Sequence, residues 1–243
     1  MKYLLFALIM ISASGYAETF RAHCRERAPE LIPIEGGCTG PVAEIVELAV
    51  QRIGHSVEWS HVPWARTINL AKIGTVDIIP RHSMNRDRER YLHAVAYGYS
   101  IREVYYMISP KKDIEVNTFD DLLKYRIGAL RGSYYSDTFA KASNLQKDFF
   151  KHTPQIIQML KSGRIDVAIT SSNHDEEMFR GIKGVKQARY IEYFYNGRYL
   201  SIPKESRMSK YFDRLKKAIE EMIESGEIDA IFLQYGLSPP SQR

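Results

Sequence analysis

Cysteine is scarce. The 243 residues hold two, Cys24 and Cys38, and no CxxC pair, which excludes the common structural zinc patterns. Beyond the N-terminal stretch Tyr3 to Ala13 there is no apolar run long enough to span a bilayer. There is no polybasic block and no basic–aromatic motif, so the formal charge of +5 does not point to nucleic acid. Phosphate loops, metal-ligand spacings and nucleophile–base pairs are missing as well. The seven histidines (His23, His55, His61, His82, His93, His152 and His174) are scattered and match no ligand spacing. There is no low-complexity tract or flexible linker. What is there, 44% hydrophobic and 26% charged residues, is a globular composition, long enough for one large domain or two lobes.

The N-terminus reads as a targeting segment. Lys2 is followed by the apolar run Leu4 to Ala13, then by small residues at Gly15 and Ala17. That is a secretory signal cut after Ala17, too short for a membrane anchor. Export gives the cysteines a meaning, since an oxidising compartment lets Cys24 and Cys38 pair. Closing so short a loop contributes roughly 3 kcal/mol in the chain-entropy account. Two unpaired thiols are the alternative.

Periodicity supplies the organisation. Val42, Ile45, Val46 and Ala49 form the helical stripe of a segment from Pro41 to Arg52, ended by Gly54. Val57, Trp59 and His61 alternate as a strand. A helix from Trp64 to Lys72 follows, with Gly74 as its C-cap and Val76 to Pro80 as a buried strand. The phrase Leu70 to Ile79 is echoed by Met159 to Ile169, each a helix, a glycine stop (Gly74, Gly163) and an apolar strand opened by Asp77 or Asp166. A looser echo is Met222 to Ile231. Repeated β–α–β units predict two similar α/β lobes. In the second, Glu103 to Ser109 and Tyr125 to Leu130 read as strands. Thr118 opens a helix capped with Asp121, Gly132-Ser133 opens another, Thr153-Pro154 a third, and Asp166 to Thr170 is a strand. Tyr199 to Pro203 reads as a short strand, and Ser209 to Ser225 as an amphipathic helix capped by Gly226.

Taken in order, several phrases resemble the family 3 periplasmic solute-binding proteins, the polar-amino-acid receptors of ABC importers. They are Val62-Pro-Trp-Ala-Arg, Leu70 to Ile79, Asn85-Arg-Asp-Arg-Glu-Arg-Tyr-Leu, Thr118-Phe-Asp-Asp-Leu through Ile127-Gly-Ala-Leu-Arg-Gly-Ser, Gly163-Arg-Ile-Asp-Val-Ala, and Glu221 to Ile231. The resemblance implies an α/β, two-lobed periplasmic binding protein (type II) fold with a hinge of two crossover strands and a central ligand cleft. Lobe 1 would comprise residues 18–99 and 198–243, lobe 2 residues 100–197, closing on a ligand by hinge motion.

It also implies a site. Arg88 stands where the family's arginine grips a ligand carboxylate, a task suited to the guanidinium fork; by pattern alone Arg86, Arg88 and Arg90 are a solvated charged face. Trp64 aligns with an aromatic wall, and by pattern alone is core. Ser83 falls in a segment of small polar residues completing the carboxylate site, with Arg81 and His82 beside it. Ser133 and Tyr134, after Gly132, match a loop at a helix start, a natural carboxylate cradle or an ordinary cap. Ser171 stands where many members carry an aspartate for the ligand ammonium. A hydroxyl cannot replace that charge, so the ligand class extends to carboxylates without an α-ammonium; Asp175, Glu176 and Glu177 are the nearby substitutes. The expected function is periplasmic capture of a small carboxylate-bearing solute by a monomer that hands it to an inner-membrane ABC permease, with no cofactor, no metal and no nucleic acid. The alternatives are an enzyme like the cyclohexadienyl dehydratases, using His82 or Asp175, and a sensory ligand-binding subunit.

Overall fold

The computed structural model describes residues 17–172 and 176–240. The proposed leader therefore lies outside the described residues up to position 16, as does Asp175. In chain order the first elements are β1 (Thr19–Cys24), β2 (Ile32–Ile34), β3 (Gly37–Thr39), α1 (Pro41–Arg52), β4 (Ser56–His61), α2 (Trp64–Lys72), β5 (Ile79–His82), α3 (Arg86–Glu89) and β6 (Leu92–Ile108). Then come a 3-10 turn at Asp120–Lys124, β7 (Arg126–Leu130), α4 (Asp137–Lys141), β8 (Gln146–Phe150), α5 (Thr153–Ser162), β9 (Val167–Ser171) and α6 (Glu176–Arg180). β10 (Lys186–Pro203), α7 (Phe212–Glu224) and α8 (Glu227–Gln234) complete the chain.

These elements form two α/β lobes. In the first, β1 and β4 pair in parallel, and β1 reaches β5 through a parallel bridge from Ala22 to Ile78. The stripe of α1 (Val42, Ile45, Val46, Ala49) meets that of α7 (Leu215, Ile219, Met222) in one core with Phe20, Ile78, Leu200 and Phe232. In the second lobe, β7, β8 and β9 carry a core on each face. Val104, Tyr106, Ile127, Phe139 and Ile169 lie on one side, and Met107, Ile156, Leu160 and Ala168 on the other. Two long antiparallel strands, β6 and β10, run through both halves. They give one six-stranded sheet in the order β5-β10-β6-β9-β7-β8, with a register shift between Arg198 and Tyr199.

The two echoed phrases fold alike. Gly74 and Gly163 both take positive φ, 67° and 73°, the left-handed conformation that favours glycine. At Gly74 a Cβ would lie 2.1 Å from the Glu205 carbonyl oxygen, so no larger residue fits. The aspartates that follow do the same work. Asp77 accepts from the Arg21 N–H at 2.9 Å, and Asp166 from the Arg126 N–H at 2.9 Å. Each ties its segment to the first residues of a neighbouring strand.

Several expectations change. The third echo does not enter a sheet: after Gly226 the chain continues as α8, because Ile228, Ile231 and Phe232 recur at helical spacing and are buried. Tyr199 to Pro203 and Glu103 to Ser109 are parts of the long strands β10 and β6. The expected strand at Val76 starts three residues later and runs on through Arg81 and His82. Asp121 does accept from the Thr118 N–H at 3.0 Å, but the turn it caps is 3-10. The helix after Gly132-Ser133 begins only at Asp137, since the Ser136 side chain accepts from the Phe139 N–H at 3.1 Å and fixes the start there. β8 went unread in the sequence.

Cys24 and Cys38 form a disulfide. It fastens the β2–β3 hairpin to the end of β1, beside the loop carrying Arg25 and Arg27.

Candidate functional site

Arg88 is fixed from below. Asn85 caps the short helix α3, its side-chain oxygen accepting from the Arg88 N–H at 2.9 Å. This turns one residue of a charged run inward: Arg88 is 4% exposed, whereas Arg86 and Arg90 face solvent. The guanidinium donates to the Ser83 carbonyl at 2.5 Å and, across the cleft, to the Gly132 carbonyl at 3.1 Å. Trp64, the first residue of α2, donates its indole N–H to the same Gly132 carbonyl at 2.9 Å. Gly132 presents that oxygen from a left-handed conformation, φ 77°. One backbone oxygen of lobe 2 thus holds two side chains of lobe 1, and the lobes meet there.

These groups line a cleft cavity, and a second compartment that shares Arg25 and Trp64 lies next to it. The first lobe supplies Arg25, Arg27, Trp64, His82, Ser83 and Arg88, and β6 supplies Arg102. Lobe 2 adds Ser133, Tyr134, Tyr135 and Ser171. Six of the seven residues expected to bind therefore meet around one cavity: Arg88, Trp64, Ser83, Ser133, Tyr134 and Ser171. Arg81 does not. It carries φ 53°, the one positive value for a non-glycine among the described residues. Its side chain pairs with Glu30, while its carbonyl accepts from Arg25 at 2.6 Å. Ser133 and Tyr134 line the wall without a helix N-terminus behind them, because α4 begins later.

The lining contains four guanidiniums, from Arg25, Arg27, Arg88 and Arg102, and among the described residues no carboxylate. Glu30 lies behind this wall and collects three arginines: Arg81, Arg198 at 2.9 Å and Arg27 at 3.7 Å. Burial alone would raise the Glu30 carboxyl; Arg81, Arg198 and Arg27 outweigh it and hold it at about 2. Arg25 is pulled well below its ordinary range, first by burial and then by Arg27, Arg81 and Arg88. Arg102 is lowered for the same reasons, with Arg27 as the first charge after burial, and Arg27 falls to about 10. Both Arg25 and Arg88 lie against the Trp64 ring, at 4.1 and 5.1 Å from its centroid, a favourable place for cations.

His82 is neutral at physiological pH. Burial, then Arg88, lower it to about 3. Its Nδ1 lies 2.9 Å from the Ser83 carbonyl and its Nε2 2.8 Å from the Ser201 hydroxyl, so both ring nitrogens are engaged. No group of three or more metal-ligating side chains stands together among the described residues, and no helix there is long and apolar enough to cross a membrane.

Sequence reasoning missed Arg25, Arg27, Arg102 and Tyr135. A usable signal existed for the first two. They directly follow the carboxyl end of β1, where ligands of open α/β sheets gather. Arg102 sits mid-strand on a crossover, and nothing local distinguishes it.

Likeness to solved structures agrees with the fold. The substrate-binding protein of an amino acid ABC transporter superposes with a TM-score of 0.70 at 17% identity, covering 90% of this chain and 99% of that one. An amino acid ABC transporter substrate-binding protein, AbpA from Streptococcus pneumoniae, bound to L-arginine, gives 0.69 at 19% identity, with 90% and 94% covered. A histidine kinase sensor domain with similarity to periplasmic binding proteins gives 0.71 at 14% identity, with 92% and 98% covered. No curated protein matches by sequence. The family described as bacterial extracellular solute-binding proteins, family 3, matches residues 28–238, most of the length. The chain belongs to that family.

Proposed function

We propose that the protein is a periplasmic receptor which captures a small carboxylate-bearing solute between its lobes and delivers it, as a monomer, to an inner-membrane ABC permease. The observation that carries this reading is Arg88, buried within an otherwise exposed charged run and facing the cleft. Its planar fork suits two carboxylate oxygens, and Ser83, Ser133, Tyr134 and Ser171 line the same cavity. A leader cut after Ala17 would put the chain in the periplasm. Lobe 1, residues 18–99 and 198–243, would swing against lobe 2, residues 100–197, about the crossover strands, with the Gly132 carbonyl receiving Trp64 and Arg88 on closure. Capture without chemistry is supported by His82, whose two nitrogens are already engaged. A cationic side chain, such as that of the L-arginine named for the pneumococcal relative, would meet four guanidiniums here.

Binding only to the folded form raises its stability, by about 2.7 kcal/mol at a hundred times Kd. A thermal-shift screen of amino acids, organic acids and amines is expected to return an organic acid, and Arg88→Ala to abolish its shift. A normal shift in that variant would overturn the site.

A further inference from the structure

The cavity holds more positive charge than one carboxylate answers. Among the described residues neither Arg25 nor Arg88 has a carboxylate partner; Arg25 donates to the Arg81 carbonyl, and the Arg88 guanidinium to the Ser83 and Gly132 carbonyls. Two further donors of the lining are buried with no hydrogen-bond partner, Nε of Arg25 and Nη2 of Arg27; Nε of Arg27 makes no hydrogen bond either but lies 3.7 Å from the Glu30 carboxylate. The Ser171 hydroxyl is buried and unpartnered too. Buried polar groups are ordinarily satisfied, and buried guanidiniums more strictly so. The orphan donors belong to one cavity and include both residues that follow β1. The two guanidiniums without carboxylates share the Trp64 ring, at 4.1 and 5.1 Å from its centroid, so they lie within roughly 9 Å of each other, a span that two short hydrogen-bonded arms can bridge.

We infer that the ligand is a short dicarboxylate without an ammonium group, one carboxylate held by Arg88 and the other by Arg25 and Arg27. The inference rests on the proposed reading of the cleft as a capture site and specifies its substrate class. Two anionic ends separated by two to four methylenes fall within the upper limit that the shared Trp64 ring sets on the separation of the cations. An α-ammonium would sit among guanidiniums with a serine, Ser171, where a compensating charge is needed. Preference follows from the empty-handed partner: a monocarboxylate leaves the second group of buried donors unanswered.

The test uses matched sets of equal length on the full mature chain, read by isothermal titration: butyrate, succinate and L-aspartate, then pentanoate, glutarate and L-glutamate, with L-arginine and L-glutamine as cationic and neutral zwitterions. Expected is a dicarboxylate that binds about 10- to 100-fold more tightly than both its monocarboxylate and its amino counterpart, the range of a hydrogen bond to a charged group. In Arg25→Gln, with folding checked by circular dichroism, the ratio of dicarboxylate to monocarboxylate affinity should fall towards one. Equal binding of the monocarboxylate, tighter binding of the amino acid, or an unchanged ratio in Arg25→Gln overturns the inference. Binding of L-arginine or L-glutamine alone overturns it and leaves the capture reading standing. Silence from every solute in the panel overturns both.

Discussion

Two groups of buried arginines in lobe 1 live under opposite conditions. Arg81 and Arg198 look away from the cleft onto Glu30. Arg25 and Arg88 look into it and, among the described residues, meet carbonyls and an indole. Both groups are buried, yet the consequences differ. Burial would lower Arg81, but Glu30 raises it above its ordinary value; Arg25 has no such partner and is driven well below. Glu30 supplies the wall with a counter-charge, though burial still lowers Arg198 and its Nε makes no hydrogen bond, whereas the lining has no carboxylate among the described residues. A binding site that must attract an anion is expected to cost stability in its absence, and the neighbouring ion cluster shows what the same side chains do when the fold satisfies them.

Glu30 is where that contrast breaks most severely. Glu30→Gln leaves Arg81 and Arg198 buried without a counter-charge, and removing one partner of a buried pair costs about 3–5 kcal/mol. Chemical denaturation should show a loss of that order; a loss below about 1 kcal/mol would deny the wall its structural role. Reduction of Cys24–Cys38 comes next. The bond pins the hairpin beside the Arg25–Arg27 loop, and reducing it should cost about 2–4 kcal/mol, with a fall in ligand affinity read in the same samples.

Acid separates the two groups further. His82 is held at about 3 and His23 at about 4, both mainly by burial. The unfolded chain takes up their protons near pH 6.5 and the folded chain does not. Stability therefore falls as pH drops below about 6.5, by roughly 1.4 kcal/mol per unit for each such histidine. Glu30, held at about 2, adds a loss from about pH 4.5 downward. His82→Gln should flatten the upper part of the profile and Glu30→Gln the lower; a flat profile between pH 6.5 and 4 in the wild type would contradict the burial of both rings. The smallest effect sharpens the comparison best. Arg25→Gln should raise the melting point of the ligand-free protein, by a gain on the order of 1 kcal/mol, while Arg81→Gln lowers it.

The sequence showed some of this and hid the rest for physical reasons. Helices α1 and α2 were legible to the residue because an apolar stripe, Pro41 at one start and glycines beyond both ends all agree. The Gly74 and Gly163 echoes were legible because the left-handed glycine turn is a local device, whereas the aspartate tethers, spanning 56 and 40 positions, were not. The third echo failed because the same glycine can lead into a helix when buried residues recur every three or four positions. Ser133 looked like a cap, but Ser136, three residues on, has the geometry. Arg88 came from family position. Arg25, Arg27 and Glu30 were missed as a site, since short charged runs read as solvated surface and the Glu30–Arg81 pair spans 51 positions.

The account stands or falls on which arginine of one short run the ligand uses. Titrating the organic acid found by thermal shift into the wild type, Arg86→Ala, Arg88→Ala and Arg90→Ala puts that question directly. The account predicts wild-type affinity in the two exposed variants and a loss of at least about 30-fold in Arg88→Ala, as for truncation of a buried charged contact. Undiminished binding in Arg88→Ala, or an equal loss at all three positions, would contradict it.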